Sequence, residues 1–398
     1  MSETEMMQGY PPPPEQRVDL ETWDRWPALR WSFRNVRAVL PTRAVAAGTP
    51  IALPRAEQRL EELALPIMDR RADTLGGLLA ETETDACLVL HRGRVVFERY
   101  YDGMGERDLH LSQSVSKSFV GTLVGLAAAR GLIDLSKPME HYVPELAHCG
   151  YRGATVGQVL DMRSGVGFVE DYLDPDSHMG ALERASAWKP RRPGETFDTY
   201  DLILTLEQAR PHGGSFLYRS IETDTLGWLL ERVSGKSLAV LLSEWIWQPM
   251  GAEAEGCFTV DRAGSCLADG GLNASLRDYG RFGLLFANEG AIGGRQVVPA
   301  AWVSACRDGD PAAFAEAPNV AMRDLPNACY SRQWWVLDRE AGISAALGIH
   351  GQMIYVDPRR ETVVVLLSSW PDALDAGKRR AFFRASETIA RALGEAGS

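Results

Sequence analysis

The β-rich runs of this 398-residue chain stand near its two ends, and mostly helical patterns lie between them. Residues 86–101 (ACLVLHRGRVVFERYY) form two such runs around a His-Arg-Gly turn, which predicts a β-hairpin. Three further runs follow one another late in the chain, at 333–338, 351–358 and 361–370. An amphipathic pattern over 376–393 predicts a closing helix. The order predicts an antiparallel sheet covered by helices, which is an α+β fold.

The chain divides into three predicted parts. Residues 1–50 are rich in proline and carry three tryptophans, which predicts an extended N-terminal arm whose aromatic side chains dock on the body. We expect the first fifteen or so residues of this arm to be disordered. Residues 51–145 and 262–398 are predicted to form the sheet domain, and residues 146–261 a mostly helical second domain. The clearest helical patterns between the strands lie at 155–166, 223–235, 238–251 and 275–290.

The motif richest in chemistry is Ser114-Val115-Ser116-Lys117, at the start of a long apolar helical pattern. Residues three apart share a helix face, so the Lys117 amine can reach the Ser114 oxygen. A serine hydroxyl is a poor nucleophile until a base takes its proton. A lysine acts as that base only when burial or a neighbouring group holds its pKa far below normal. The motif predicts acyl transfer through a covalent Ser114 ester; the alternative is that Ser114 only caps the helix.

A second Ser-x-x-Lys match runs from Ser186 to Lys189. It is followed by Pro190 and a basic, proline-containing stretch that no helix continues through. The Ser114 copy instead opens onto a run of small and apolar residues that Gly131 ends. We therefore expect the chemistry at Ser114.

Composition excludes several classes of partner. The net charge of −11, with no basic stripe, argues against nucleic acid. Six scattered cysteines predict free thiols in a reducing compartment. The N-terminus lacks a signal-peptide pattern, and no apolar stretch approaches the ~18 residues of a membrane span, so we expect a cytoplasmic protein without a membrane partner. No HExxH motif, phosphate-binding glycine loop or His/Cys cluster is found in the sequence, which predicts no metal and no organic cofactor.

A Ser–Lys pair still needs an oxyanion hole and a group that handles the proton of the leaving group. Tyr218 lies in a turn before a predicted helix, and a phenol beside a cationic Lys117 is expected to titrate low and to shuttle a proton. The glycine-flanked segment 348–351 offers a backbone N–H that can approach a substrate closely. The alternatives are a half-buried core tyrosine and, for His350, a hydrogen-bonded structural histidine.

These motifs together resemble a known superfamily. SVSKSFVGTLVG, the Tyr-x-Ser after an aromatic-containing turn and GIHG before the penultimate strands are similar to segments of serine β-lactamases, penicillin-binding proteins and related esterases. More narrowly, the chain resembles the nylon-oligomer amidase branch, the 6-aminohexanoate-dimer hydrolases, from ETWDRWPALRWSF to LLSSWPD. The resemblance covers nearly the whole chain. It implies a β-lactamase-like fold and a homodimer.

The resemblance also implies roles for single residues. Ser114 is the nucleophile, Lys117 its neutral general base and Tyr218 the proton shuttle. The backbone N–H groups of Ser114 and Ile349 form the oxyanion hole.

Further positions are implied to bind substrate. Tyr172 closes over the bound substrate and contacts the scissile amide nitrogen, and Trp335 is an aromatic wall of the pocket. Ser220 and His350 are expected to contact substrate as well. Glu183 stands where the most active amidases of the branch use an aspartate to meet the amino group of the substrate. The alternative for Glu183 is a solvated helix acid, paired with a neighbour such as Arg184.

One departure from the superfamily limits the substrate. Ala346-Leu347-Gly348 replaces the Lys-Thr-Gly triplet with which β-lactamases bind a substrate carboxylate, and this puts penicillin hydrolysis in doubt. The prediction is a serine hydrolase that cleaves linear amide bonds of 6-aminohexanoate-type oligomers and carboxylic esters. Two alternatives stay open: a general carboxylesterase without preference for an amine, and a non-catalytic ligand-binding relative.

Overall fold

The computed structural model describes residues 6–66, 72–315, 322, 325 and 327–395. The strands within these residues are β1 (Thr42–Val45), β2 (Thr84–His91), β3 (Arg94–Tyr100), β4 (His110–Leu111), β5 (Gly256–Thr259), β6 (Leu272–Ala274), β7 (Ala291–Ile292), β8 (Arg295–Gln296), β9 (Cys329–Ser331), β10 (Trp334–Asp338), β11 (Ile343–Gly348), β12 (Gln352–Asp357) and β13 (Thr362–Ser368). The α-helices are α1 (Ala28–Arg34), α2 (Val36–Val39), α3 (Leu75–Glu81), α4 (Ser116–Ala129), α5 (Val156–Leu160), α6 (His178–Ala185), α7 (Thr199–Thr205), α8 (Ser220–Ser234), α9 (Leu238–Leu242), α10 (Leu276–Ala287), α11 (Ala300–Cys306), α12 (Pro311–Ala315) and α13 (Ala376–Glu395).

The main sheet is antiparallel and has the strand order β3-β2-β13-β12-β11-β10-β9. The predicted hairpin is confirmed, since β2 and β3 pair directly around a turn at Arg92 and Gly93. A smaller sheet has the order β1-β5-β6-β4 and lies beside the start of α4. The predicted α+β class is confirmed.

The central strands are buried on both faces, and alternate residues enter two different cores. Leu88 and Leu90 of β2 pack in the larger core with helices α4 and α10. Cys87 and Val89, which point the opposite way, pack in a second core with the closing helix α13. Burial on both faces explains why these strands appear in the sequence as continuous apolar runs.

Helix α10 lies directly against the main sheet. A Cβ on Gly283 would stand 2.5 Å from Val363 Cγ1, so only glycine permits this approach. The predicted helix over 275–290 is confirmed, with Ser275 as its N-cap. The predicted closing helix is also confirmed, as α13.

One strand of the main sheet was not predicted. The runs at 333–338 and 351–358 do form strands β10 and β12, but they are not neighbours. Strand β11 lies between them and pairs with both. Its sequence, ISAALG, is mostly small residues without the β-branched run that marks a strand, so it depends on its two neighbours for pairing.

The N-terminal arm contains short helices as well as extended chain. Residues 1–5 lie outside the described residues; from there the arm forms a loop in which the Met7 N–H donates to Gln16 O at 2.8 Å. Helices α1 and α2 and strand β1 follow. Trp23 is fully buried and docks on the body, whereas Trp26 is largely exposed.

Helices α5 to α9 fall within residues 146–261, the region predicted to be mostly helical. The helix predicted over 155–166 is shorter than expected. It ends at Leu160, because Met162 has a φ of +57° that a helix cannot continue through. No helix in the described part of the chain has the length and apolar character that crossing a bilayer requires.

Candidate active site

Ser114 lies in a tight turn that joins β4 to α4. Residues Gln113–Val115 form a 3-10 turn, and α4 begins immediately after it. Gln113 has a φ of +50°, a left-handed conformation that costs energy for a residue with a side chain. The turn leaves Ser114 partly exposed, while Lys117, one turn further along, is buried. Strain of this kind is concentrated at functional sites.

The structure brings Ser114 and Lys117 together as the motif predicted. Lys117 Nζ lies 2.9 Å from Ser114 Oγ. It also donates to the backbone oxygen of Asp269 at 2.8 Å and lies 3.4 Å from the Asp269 carboxylate. Helix α4 has no side-chain cap, so the alternative in which Ser114 serves only as a cap does not hold.

The charge of Lys117 differs from the prediction. Burial by itself lowers the pKa of the amine, but nearby negative groups outweigh burial and raise that pKa above its ordinary value. The largest of these effects comes from Tyr218 and applies only once its phenol has lost its proton; the carboxylates of Asp269, Glu170 and Asp224 follow in that order. The direction of this shift favours the ammonium form of Lys117, whereas the predicted mechanism draws on its neutral amine.

Tyr218 completes the cluster. Its ring centroid lies 5.3 Å from Lys117 Nζ, and its phenol is close enough to Ser114 and Lys117 for both to influence its pKa. Burial raises the pKa of this phenol, and the opposing effect of Lys117 is too small to bring it back to its ordinary value. The expected low-titrating phenol is therefore wrong in direction. The raised pKa favours the protonated phenol near neutral pH, and this form can act as a proton donor.

The two predicted oxyanion donors lie on the same pocket. The Ser114 N–H belongs to the 3-10 turn before α4, and Ile349 is the first residue of a second 3-10 turn, Ile349–Gly351. N–H groups at the start of a helical turn have no acceptor inside that turn, so both are free to point at a ligand. His350 follows with a φ of +57°, a second strained residue beside a donor.

Gly348 holds these two turns against each other. A Cβ at this position would lie 2.5 Å from Ser112 O and 3.0 Å from Gln113 Cβ. Only glycine lets the end of β11 approach the Ser114 turn this closely. The absence of a side chain at Gly348 therefore allows the two predicted oxyanion donors to lie close together.

A small pocket lies beside Ser114. Its polar wall includes several of the predicted substrate-binding residues: Tyr172, Glu183 and Ser220, with Asp269 in addition. Met179, Leu182, Trp188 and Leu267 supply apolar surface. The pocket is thus largely apolar with a few polar groups, as is usual for small-molecule sites.

Glu170 connects Tyr172 with Ser220. Its carboxylate accepts hydrogen bonds from Tyr172 Oη at 2.6 Å, from Ser220 Oγ at 2.6 Å and from the Ser220 N–H at 2.7 Å. Burial raises the pKa of Glu170, although Lys117 opposes the shift. Tyr172 is thus held at the pocket wall by a carboxylate that the sequence analysis did not single out.

Glu183 lies on α6 with its side chain in the pocket wall. Arg184 pairs with Glu195 at 2.7 Å, so the alternative in which Glu183 is paired with Arg184 is not supported. Burial raises the pKa of the Glu183 carboxyl to about 7, and Asp24 adds to the shift. A cation that binds beside this carboxyl would stabilise its ionised form and lower its pKa.

The other Ser-x-x-Lys match does not form a pair. Ser186 Oγ donates to Glu183 O at 3.1 Å, and Lys189 Nζ forms an ion pair with Asp24 in the N-terminal arm. Helix α6 ends at Ala185, before this motif.

Trp335 and His350 lie behind the pocket. Trp335 stacks on Tyr218 with ring centroids 5.3 Å apart, so it supports the phenol. The His350 ring is buried, its Nδ1 bonds Trp370 O at 2.7 Å, and it does not line the pocket. The contact of His350 with substrate that the resemblance implied is therefore a correction: its position fits the structural histidine.

The sequence analysis missed the carboxylates around Lys117. Asp269 and Glu170 come from segments far from Ser114 along the chain, and Asp224 lies within α8. Glu170 precedes Tyr172 by two residues, and Asp269 precedes a Gly-Gly pair. Such local context marks turns, but it does not show which side chains meet. No group of His, Cys, Asp and Glu suited to a metal ion is found within the described ranges.

Known proteins are similar to this chain over most of its length. A protein-family model described as Beta-lactamase matches residues 73–388. The chain is 39% identical over 373 residues to the 6-aminohexanoate-dimer hydrolase of Paenarthrobacter ureafaciens, which covers 91% of each chain. A solved structure from Bacillus anthracis, whose protein bears the same name provisionally, has a TM-score of 0.88 at 29% identity and covers 96% of this chain and 99% of that one. A family VIII carboxylesterase shares the fold, with a TM-score of 0.57 at 16% identity, covering 77% of this chain and 95% of its own.

Proposed function

Because the chain belongs to the β-lactamase family, we propose that it is a serine hydrolase that cleaves linear amides of the 6-aminohexanoate type, and carboxylic esters, through an acyl-enzyme on Ser114. The observation that carries this proposal is the 2.9 Å contact between Lys117 Nζ and Ser114 Oγ beside a pocket. The name of the 39% identical relative supports the substrate class.

Acylation begins when Lys117, as the neutral amine, takes the proton of Ser114 and the oxygen attacks the substrate carbonyl. The carbonyl oxygen becomes an oxyanion that accepts from the N–H groups of Ser114 and Ile349. Tyr218 gives its phenol proton to the departing amine or alkoxide, and the C–N or C–O bond breaks. The Lys117 ammonium then returns its proton to the Tyr218 phenolate, so the pair is restored.

Deacylation repeats these steps with water in place of the serine. Lys117 takes a proton from the water, the resulting hydroxide attacks the ester carbonyl, and Tyr218 protonates Ser114 as it leaves. The products are the carboxylic acid and the free enzyme. No proton is gained or lost by the Lys117–Tyr218 pair over the whole cycle.

The resting ammonium sets how this cycle depends on pH. Since the groups around Lys117 raise its pKa, the ammonium form is favoured near neutral pH. Catalysis draws on the fraction that has lost this proton, and turnover therefore rises with pH until Lys117 is mostly neutral.

The pocket wall suits a substrate that carries an ammonium group. Glu183 is a half-buried carboxyl there, and Tyr172 is hydrogen-bonded to Glu170 near Ser114. We assign Glu183 to the amino end of the substrate, Tyr172 to the scissile amide and Ser220 to the adjoining wall. The end of β11, Ala346-Leu347-Gly348, offers neither a cation nor a hydroxyl for a substrate carboxylate, which argues against penicillin hydrolysis.

The proposal also covers the oligomeric state, the location and the domain division of the protein. We propose a homodimer in the cytoplasm, with the sheet domain and the helical domain divided as the sequence predicted. Six cysteines without a disulfide support a reducing compartment.

Active-site labelling tests the mechanism. The wild-type protein is incubated with a fluorophosphonate, its intact mass is measured, and hydrolysis of a p-nitrophenyl ester and of the aminohexanoate dimer is followed. We expect one adduct per chain and turnover of both substrates. Ser114→Ala removes the only oxygen that the acyl group can occupy, so it should abolish the adduct and reduce turnover by about 10⁴-fold or more.

Ser186→Ala, in the motif that forms no Ser–Lys pair, is the matched control and should still be labelled. Adduct formation and ester turnover without any dimer cleavage would identify a general carboxylesterase. Absence of both label and turnover in the folded wild-type protein would identify a ligand-binding relative and refute the proposal.

A further inference from the structure

Arg379, on helix α13, reaches the back of the turn that carries Ile349. Its Nη2 donates to Gly348 O at 2.6 Å, and its Nη1 donates to Gln352 O at 3.1 Å. The guanidinium lies 5.0 Å from the centre of the Trp370 ring. Two carbonyls and one aromatic face thus hold this side chain on the far side of the turn from the pocket.

No carboxylate pairs with Arg379 in the described part of the chain. Burial lowers the pKa of its guanidinium to about 10, and no charged neighbour compensates that shift. The group still carries its proton near neutral pH. Arg379 is half-buried, and its guanidinium donates to two backbone carbonyls rather than to a carboxylate.

The hydrogen bond to Gly348 O acts on the oxyanion hole through a single peptide unit. The C=O of Gly348 and the N–H of Ile349 belong to the same planar amide. A charged donor on the oxygen draws electron density from the nitrogen, and this makes the N–H a stronger donor. That N–H is one of the two that we assign to the substrate oxyanion.

We propose that Arg379 is a positioning residue that polarises the Gly348–Ile349 peptide and so strengthens the Ile349 N–H as an oxyanion donor. The inference rests on the proposed function, because it needs an oxyanion at this place. Arg379 touches neither substrate nor Ser114 in this arrangement. Its charge acts through the amide, and its effect is largest when negative charge has developed on the substrate oxygen.

A competing view is that Arg379 only fastens α13 to the end of β11. The two views differ in what the charge does. If Arg379 only anchors α13, its truncation should lower the free energy of unfolding and should change KM and kcat to similar extents. A polarising cation changes kcat much more than KM, because the ground-state carbonyl carries little charge.

A graded series at this position separates the two. Arg379→Lys keeps the charge and one donor, Arg379→Gln keeps a neutral donor, and Arg379→Met keeps only the aliphatic stem. Cooperative strengthening is of the order of 10–30% of one bond, and loss of a whole oxyanion donor costs ~10²–10³-fold. We therefore expect kcat for the p-nitrophenyl ester to fall about 2- to 8-fold in Arg379→Met, with Gln between Met and Lys and with KM changed less than about twofold.

The fluorophosphonate labelling rate should fall in the same order, because the phosphoryl oxygen occupies the same hole. The carbonyl stretch of a slowly hydrolysed acyl-enzyme gives an independent readout. It should move to higher frequency in Arg379→Met and return in Arg379→Lys. Arg380→Met, at an exposed neighbour on the same helix, is the matched control and should leave all three quantities unchanged.

Equal kcat in all folded Arg379 variants would overturn the inference, as would a loss confined to KM or an unshifted carbonyl band. If Arg379→Met does not fold, the comparison of the Lys and Gln variants still decides, since they differ in charge while both retain a donor. Failure of the wild-type protein to label or turn over refutes the proposed function instead, so the two failures are distinguishable.

Discussion

The groups around Ser114 consist of one cation and several buried carboxyls. Lys117 is the cation, and burial raises the pKa of Glu170 and of Asp224 beside it. Burial also raises the pKa of Glu183, to about 7, at the pocket wall. A carboxyl with a raised pKa ionises more readily when a cation approaches. Binding of a substrate ammonium is therefore linked to loss of a proton from this wall.

Glu183 makes this link measurable. Its carboxylate is present above about pH 7 and is lost as the pH falls below that value. The KM for the aminohexanoate dimer should therefore rise as the pH is lowered from 8 to 6, beyond any change seen with a neutral short-chain ester. In Glu183→Gln this extra dependence should vanish. The KM for the dimer at pH 8 should rise about 10- to 100-fold, the range of a lost charged hydrogen bond.

Glu207→Gln, at an exposed glutamate, is the matched control for this comparison. Steady-state kinetics of both substrates from pH 6 to 8 provide the measurement. Equal losses on the dimer and on the ester would assign Glu183 to the structure of α6.

Among the secondary-structure elements, the N-terminal arm supports the pocket from outside. Trp23 is fully buried, packs edge-on against Trp188 at 5.1 Å and donates from Nε1 to Trp188 O at 2.9 Å. Trp188 in turn lines the pocket and donates to Thr259 Oγ1 at 3.0 Å. The arm, the segment that follows α6 and strand β5 are thus joined through two indoles.

Removal of the first indole should weaken the whole protein. Trp23→Ala leaves a large cavity and an unpaired Trp188 carbonyl, so we expect the free energy of unfolding to fall by about 3–5 kcal/mol. Trp26→Ala, at a largely exposed arm position, should change it by less than about 0.5 kcal/mol. Denaturant unfolding followed by circular dichroism gives both values. A Trp23 variant as stable as the wild type would show that the arm is not part of the cooperative unit.

Some secondary-structure elements could be predicted from the sequence and others could not. Strands β2, β3, β12 and β13 could be predicted, because burial on both faces leaves continuous apolar runs. Strand β11 could not, because it is held by two neighbours and carries few β-forming residues. Helices α1 and α2 escaped notice in a proline-rich arm, since their stability comes from packing on the body.

The same distinction applies to the site. Ser114 and Lys117 could be predicted as partners because one helical turn separates them. The charge of Lys117 could not, since it depends on Asp269 and Glu170 from distant segments. A pattern of residues close together in sequence does not show which distant segments contact each other in the fold.

Over the whole molecule, the six cysteines report on folding. All six are free, and five are buried, with Cys149 half-buried. Burial raises the pKa of Cys87 and Cys266 to about 12, so these thiols lack the reactive thiolate at neutral pH.

We therefore expect at most one thiol per native chain, Cys149, to react quickly with Ellman's reagent. All six should react once the protein is unfolded in guanidinium without reductant. Absorbance at 412 nm measures both numbers. Four or fewer reactive thiols in the unfolded chain would reveal a disulfide, and rapid reaction of several native thiols would contradict the burial described here.

The contact at Gly348 has a consequence for synthesis of the chain. The proposed nucleophile, Ser114, is translated well before Gly348 and Ile349, which would complete the proposed oxyanion hole. Until β11 packs against the Ser114 turn, the nascent chain should carry an unactivated serine hydroxyl that activated carboxylic acids acylate only slowly. Under the proposed function, Ser114 becomes reactive only in the folded protein, so an affinity label on this serine should count folded molecules in a crude extract.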